Sequence, residues 1–539
     1  MNVRLGLAPA ALALALAAAA CGTGGDTVQT PPLVTSPADT AEPSTSARST
    51  APSTSQEPAS TQPSEEPAAT VTSSVAPLPP ITVEQVDCPA ELRTGGLSCG
   101  LATVPVDRSD PSTGTTRISL ASLVGQAPEA SPPLAVLQGG PGGSSTELTS
   151  FYPTRPFTQV FIDQRGTGFG DSDFDCPEID EVLVEVLGAP SERAEDIELA
   201  AYDRCAARLA GDSVFETTDT ETHARDVQDV MSALGYDQWL VYGVSYGTTI
   251  ALELMRTAPE GLMGAVLDGV YPTDLDVDAA IGESATTSLG ELDRACAEDP
   301  GCDAIVPDVI GALERVMDRL ESEPLTVTVG EGETLLGSRL DVYIDDEVLA
   351  GMVFRFLYDE ARFRFVPGLL DGLDRGDPGT ARWLARAVVD LSVSALAYND
   401  DGTWFAVQCA DRLPFTDGPP PGLSDYAAVI ADPGLQQLCE PWARSPSPAT
   451  AGEPVRSDVP ALLLGGQLDP ITPPYHAERV ASGLTSATVV IQAGRGHGIW
   501  FGDNCIASLV EAFVSDPRTP LETSCAASGV SIDWRRPSG

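Results

Sequence analysis

Gly243-Val244-Ser245-Tyr246-Gly247 lies between the apolar run Trp239-Leu240-Val241-Tyr242 and the stretch Thr248 to Thr257. The run reads as a short buried strand, and the stretch as a helix that stops before Pro259. A chain that turns sharply from strand to helix needs small residues two before and two after the serine, because larger side chains would collide there. Such a turn lifts the hydroxyl above the sheet and leaves it at a helix N-terminus, where a serine can act as a nucleophile. A second Gly-x-Ser-x-Gly, Gly96-Leu97-Ser98-Cys99-Gly100, has no strand before it and no helix after it, so context selects Ser245.

The segments around this turn predict the rest of a sheet. Leu134 to Leu137 and Gln159 to Ile162 are continuous apolar runs, as expected of strands buried on both faces. They lead into Gly139-Gly140-Pro141-Gly142-Gly143 and Asp163-Gln164-Arg165-Gly166-Thr167-Gly168 respectively. Leu101 to Val106 and Ile118 to Val124 alternate like paired antiparallel strands around a turn at Asp110 to Gly114. A helical stretch from Thr222 to Leu234 closes at Gly235. Ala265 to Asp268, Ala461 to Gly465 and Ala487 to Ile491 complete the strand series. Strands alternating with helices predict an α/β class protein with a mostly parallel sheet flanked by helices. Residues 271–441 interrupt the series with helical periodicity, as in Glu347 to Phe356 and Ala381 to Ala397, and read as an inserted, mainly helical lid. The core then comprises residues 81–270 and 442–539.

The first 80 or so of the 539 residues do not read as a packed domain. Residues 1–21 have the shape of a signal peptide, with Arg4 ahead of a Leu/Ala run, ending Ala18-Ala19-Ala20-Cys21-Gly22. Small residues before a cysteine resemble a lipobox, which would make Cys21 a lipidation site; plain cleavage after Ala-x-Ala is the alternative. Residues 22–80 are Ser, Thr, Pro and Ala with scattered acids, the composition of a disordered, extended tether. The net charge of −48 leaves no basic face for phosphate and argues against nucleic-acid partners. All 30 basic side chains are arginine, which removes Schiff-base chemistry, phosphate-loop lysines and Ser–Lys dyads. With only three histidines and no Cys-x-x-Cys spacing, neither a metal site nor a cofactor is expected. Without Cys21, the 11 cysteines leave ten. In an oxidising compartment these read as five disulfides, paired in chain order as Cys88–Cys99, Cys176–Cys205, Cys296–Cys302, Cys409–Cys439 and Cys505–Cys525, although spacing does not fix connectivity.

A serine nucleophile needs a base, and the base an orienting acid. His497, in Gly494-Arg495-Gly496-His497-Gly498, follows the last strand, and Asp469, in Gly465-Gly466-Gln467-Leu468-Asp469-Pro470, follows the strand before it. Both lie at the carboxyl edge of a parallel sheet, the edge that carries Ser245. His476 reads as a surface or packing residue, His223 as an exposed one, and Asp268, at another strand end, as the rival acid. The oxyanion of an acyl-transfer intermediate needs two backbone donors, for which the amides of Tyr246 and Gly140 are the candidates.

The chain resembles the actinobacterial tripeptidyl aminopeptidase family, secreted relatives of prolyl iminopeptidase with the α/β-hydrolase fold. The resemblance rests on Gly139 to Ser144, Phe161 to Gly168, Gly243 to Thr248, Leu267-Asp268-Gly269-Val270, Val407-Gln408-Cys409-Ala410-Asp411, Cys439-Glu440-Pro441-Trp442, Leu468 to Pro473 and Gly496-His497-Gly498. It covers roughly Cys88 to Cys525 and places a TAP-like part at the C-terminus. It implies an exopeptidase that releases short N-terminal peptides under a lid, with Ser245, Asp469 and His497 as triad. The prolyl iminopeptidase branch usually begins its glycine loop with His, where this chain has Gln138. A carboxylesterase with the same triad is the alternative, and a non-catalytic envelope protein a third reading. The substrate is a peptide or an ester, and contact with a membrane is expected only through a lipid at Cys21. An aminopeptidase needs an anion for the substrate ammonium, for which Glu253, Asp345, Asp346, Glu347 and Asp411 are candidates.

Overall fold

The computed structural model describes residues 78–537 apart from 93–95, 129–130, 258–259, 432–433, 443, 448–450 and 502. The signal peptide, Cys21 and nearly all of the tether lie outside the described residues.

Nine strands form one sheet in the order β1-β2-β3-β5-β4-β6-β7-β10-β11. These are β1 Thr82–Val86, β2 Leu97–Pro105, β3 Thr115–Leu123, β4 Leu134–Leu137, β5 Gln159–Ile162, β6 Trp239–Val244, β7 Leu262–Asp268, β10 Ala461–Gly466 and β11 Ala487–Gln492. β1, β2, β3 and β5 pair antiparallel, whereas β5, β4, β6, β7, β10 and β11 run parallel. Every residue of β4, β5, β6 and β10 is buried, which explains their unbroken apolar runs. This is the α/β-hydrolase fold. Ser98 of the second Gly-x-Ser-x-Gly lies exposed in β2, beside the Cys88–Cys99 disulfide.

The principal helices are α1 Ser191–Leu209, α2 Thr220–Ala233, α3 Tyr246–Thr257, α4 Val277–Glu298, α5 Val309–Ser322, α6 Asp346–Leu357, α7 Pro378–Tyr398, α8 Asp401–Asp411, α9 Pro474–Ala481 and α10 Asn504–Ser515. Asp219 caps α2 by accepting from Thr222 N at 2.7 Å, and Asp345 caps α6 by accepting from Val348 N at 3.1 Å. Residues 271–441 are helical except for a hairpin of β8 Leu325–Val329 and β9 Leu340–Ile344, which the helical periodicity did not predict. α4 to α7 share one apolar core through side chains such as Leu292, Val316, Phe354 and Leu384. α1, which precedes the elbow and was not anticipated, joins this helical layer. Its Tyr202 packs edge-on against Phe405 of α8, and Phe405 stacks on Trp442 at 4.1 Å. The five disulfides pair in chain order, and Cys176–Cys205 and Cys409–Cys439 bracket this aromatic cluster. Among the described residues no helix is long and apolar enough to cross a membrane.

Candidate active site

Ser245 ends β6 and precedes α3 with φ of 57°, the only non-glycine residue with positive φ among those described. The rule of small flanking residues has a measurable cause. A Cβ on Gly243 would stand 2.2 Å from Gly247 O, and one on Gly247 would stand 2.4 Å from Leu137 O. The Tyr246 amide opens α3, where the first N–H groups of a helix have no intrahelical partner.

His497 Nδ1 lies 2.7 Å from Asp469 Oδ2. Thr472 Oγ1 donates to the same Oδ2 at 2.6 Å and sits 2.9 Å from His497 Nδ1, while the Thr472 and Ile471 amides donate to Asp469 Oδ1 at 2.8 and 3.0 Å. These partners leave Nδ1 as the proton-bearing nitrogen. Nε2 is buried without a hydrogen-bond partner among the described residues, and is the nitrogen available to a serine hydroxyl. Burial alone would lower the His497 pKa, but the Asp469 charge and hydrogen bond, with the Asp268 charge, raise it above 6.5. Burial likewise pushes Asp469 up, and the His497 charge with hydrogen bonds from His497 and Thr472 pulls it below 3.8.

Asp268 has a different place. It accepts from Ile499 N at 2.8 Å, Trp500 N at 2.9 Å and Tyr242 Oη at 3.0 Å. Its own carbonyl accepts from Ser245 N at 2.9 Å. It therefore ties the elbow to the loop that carries His497.

The glycine loop abuts Ser245. A Cβ on Gly139 would lie 2.7 Å from Ser245 Cβ and 3.2 Å from its Oγ, and Gly140 has φ of 106°. Gln164 fastens this loop. Its Nε2 donates to the carbonyls of Gly139 at 2.9 Å, Gln138 at 3.2 Å and Gly143 at 3.3 Å, and its Oε1 accepts from Gly142 N at 3.1 Å. Beside it, Asp163 accepts from Thr146 N at 2.9 Å, and buried Arg165 pairs with Asp226 at 2.7 Å. Gly139 and Gln164 were not singled out by the sequence reading. The signal was the Asp-Gln-Arg-Gly motif itself, whose partner across the sheet was not visible.

His223 is not exposed, as its place at a helix start suggested, but 2 % accessible, because α2 packs its first turn onto the elbow helix. Its Nδ1 sits 3.1 Å from Tyr246 Oη, and burial pushes its pKa down to about 3. His476 is a packing residue, 1 % accessible, with its pKa pushed down to about 4 by burial. None of the five candidate ammonium anions sits at the triad. Glu253, two turns into α3, pairs with Arg256 at 2.8 Å. Asp345, Asp346 and Glu347 begin α6, whose opposite end meets His497, so they stand about 16–20 Å away along the axis. Asp411 accepts from Thr220 N at 3.0 Å and from the Thr220 and Ser447 hydroxyls, and Thr220 Oγ1 lies 3.0 Å from Tyr246 Oη. Asp411 thus braces the elbow from below. Cys176, Glu178 and Cys205 cluster within metal-ligating distance, but the cysteines are joined in a disulfide and offer no thiolate.

Residues 132–295 match the family described as alpha/beta hydrolase fold, and residues 427–525 match the family described as TAP-like protein. The serine protease Hip1 of Mycobacterium tuberculosis (strain H37Rv) is 23% identical over 468 residues, 79% of this chain and 86% of that one. The proline iminopeptidase of Neisseria meningitidis serogroup A is 30% identical over 140 residues, 26% of this chain and 33% of its own length. Among solved structures, a proline iminopeptidase from Mycobacterium smegmatis superposes with a TM-score of 0.37 at 14% identity, covering 77% of this chain and 98% of that one.

Proposed function

Because the chain is a serine hydrolase of the tripeptidyl aminopeptidase-like family with the α/β-hydrolase fold, we infer that it is an extracytoplasmic aminopeptidase releasing short N-terminal peptides. The observation that supports the chemistry is the Asp469–His497 pair at 2.7 Å, with His497 on a loop that Asp268 ties to an elbow serine with φ of 57°. Ser245 Oγ attacks the scissile carbonyl and passes its proton to His497 Nε2. Asp469 and Thr472 hold the imidazole in that tautomer, and Asp469 stabilises the imidazolium that forms. The Tyr246 amide and the glycine-loop amide, Gly140, receive the oxyanion. His497 then protonates the leaving amine, and water releases the acyl group by the reverse path.

Peptide rather than ester chemistry is supported by an acidic lip beside the glycine loop. Asp400 N donates to Gly142 O at 3.0 Å, and burial with the charges of Asp175, Asp173, Glu147 and Asp401 pushes the Asp400 carboxyl well up. A substrate ammonium relieves that repulsion, whereas a neutral ester does not. The five disulfides and the composition of residues 1–80 support an extracytoplasmic site, with Cys21 as the lipid attachment point. The test is a panel of N-terminally free and N-acetylated chromogenic tripeptides beside short acyl esters. The free peptides should exceed the acetylated ones by at least about tenfold in kcat/KM, equivalent to about 1.4 kcal/mol. Equal rates on both peptides with fast ester turnover would make the chain a carboxylesterase.

A further inference from the structure

Four arginines are buried among the described residues, and three of them are satisfied. Arg165 pairs with Asp226 and donates to the carbonyls of Pro105 and Val106. Arg412 donates to the carbonyls of Pro272 and Thr273, and Arg495 meets Glu360 and Asp503. Arg355 is the exception. It is 5% accessible, its side chain makes no hydrogen bond or ion pair with any described residue, and its Nη1 is fully enclosed without a partner. A guanidinium removed from water is costly unless an anion or carbonyl oxygens replace its hydration. In a chain with 78 acidic side chains, an unpaired buried arginine is not explained by a shortage of partners.

Its position explains it better. Arg355 lies on the last turn of α6, three residues before Tyr358 and so on the same side of the helix. The Tyr358 carbonyl accepts from His497 N at 2.9 Å, and the Tyr358 ring lies 5.3 Å from the His497 ring. Arg355 and Tyr358 influence each other electrostatically, and so do Tyr358 and Asp469, so Tyr358 stands between the guanidinium's helix turn and the Asp469–His497 pair. The charge of Glu198 of α1 reaches both Arg355 and the Tyr202 hydroxyl. That hydroxyl is itself buried and without a partner among the described residues. Two unsatisfied donors, from α6 and α1, thus share one charged neighbour. Burial pushes the Arg355 pKa down to about 10, so the group is cationic at neutral pH.

We propose that Arg355 is a specificity-determining residue that takes a carboxylate of the substrate, with the planar guanidinium bonding both oxygens and Tyr202 Oη donating a further hydrogen bond. The proposal rests on the aminopeptidase reading. The carboxylate can come from an acidic side chain in the released segment or from the C-terminus of a short peptide, and the chemistry at Arg355 is the same.

The experiment compares two matched pairs by kcat/KM. The first is Glu-containing against Gln-containing tripeptide anilides, which have no terminal carboxylate. The second is a neutral tetrapeptide as free acid against its C-terminal amide. In wild type the carboxylate-bearing member of one pair should be favoured by about tenfold or more, and that pair identifies the source. In Arg355→Gln the ratio should fall to about unity, and in Arg355→Lys it should be partly retained. Arg355→Met should raise the Tm of the substrate-free enzyme, because an unpaired buried charge is removed; an arginine needed for the fold would lower it. Ratios near unity in wild type for both pairs, a preference that survives Arg355→Gln, or a fall in Tm with Arg355→Met would each overturn the inference. Ser245 labelling by a fluorophosphonate in wild type, with hydrolysis of the neutral peptides, separates such a failure from failure of the aminopeptidase reading.

Discussion

Asp268 Oδ1 accepts the backbone amide of Ile499 at 2.8 Å, two residues beyond His497. Through this bond, the end of β7 sets the height of the loop that carries His497. The same residue's carbonyl accepts the Ser245 amide at 2.9 Å, so one strand end ties the Ser245 turn to the loop of His497. Asp469, three residues past the end of the neighbouring strand β10, is left to face the imidazole.

Replacing each of these acids should therefore do different things. Asp469→Asn should lower kcat by about 10⁴-fold, since the amide favours the wrong imidazole tautomer. Asp268→Asn keeps one acceptor but turns a donor toward a backbone N–H. It should cost about 1–3 kcal/mol of stability and a smaller share of activity. Melting curves and steady-state kinetics on both variants check this, and a larger kcat loss from Asp268→Asn would exchange the two roles.

Covalent chemistry at Ser245 predicts that a fluorophosphonate labels wild type and Ser98→Ala but not Ser245→Ala. Ser98 is exposed in an antiparallel strand, and three strands separate β2 from β6, which leads into Ser245. Gel fluorescence reads the outcome. Labelling that survives Ser245→Ala contradicts the assignment.

The pH profile follows from the base. His497 accepts a proton only when neutral, and its pKa is held above 6.5. The acidic limb of kcat/KM should therefore lie above pH 6.5. In Asp469→Asn the residual activity should titrate lower, because the largest upward influences on the imidazole are gone. Stability has two limits. The contribution from the raised His497 pKa is complete below 6.5 and fades as pH rises through the folded value. That from the lowered Asp469 pKa is complete above 3.8 and fades as pH falls through its folded value. The Tm difference between wild type and Asp469→Asn should be largest between these limits.

Gly139→Ala tests the close approach of the glycine loop. Its methyl would press on Ser245 Cβ at 2.7 Å, and Gln164 holds the loop on both sides through the carbonyls of Gln138 and Gly143. A displacement near 1 Å at a reacting serine costs on the order of 10²-fold in rate. Kinetics should show a loss of that size in kcat, with retained folding by circular dichroism. A variant with unchanged kcat would mean that the loop yields.

The covalent frame gives a stability prediction. Cys409–Cys439 spans 30 residues and Cys296–Cys302 spans 6. Removing the longer link should cost about 1 kcal/mol more than removing the shorter one, because it releases more freedom to the unfolded chain. Denaturant titration of the two double Cys→Ser variants measures the difference.

The sequence by itself determined the elements whose physics is local. Continuous apolar runs marked β4, β5, β6 and β10, since a strand covered on both faces has no polar side to show. Gly243 and Gly247 marked the elbow because a side chain at either would meet backbone, at 2.2 and 2.4 Å. Chain order at strand ends was enough to bring forward Ser245, Asp469 and His497. Groups defined by partners far along the chain were decided only by tertiary structure. His223 looked like a helix-start surface residue until α2 packed it under the Tyr246 hydroxyl 23 residues away. Asp411 looked like a free anion until Thr220, 191 residues earlier, took its carboxylate. The β8–β9 hairpin and the docking of α1 on α8 depend likewise on neighbours that no local periodicity encodes. Whether a buried charge is paired depends on which helices the fold brings together, and for Arg355 the fold brings no partner among the described residues.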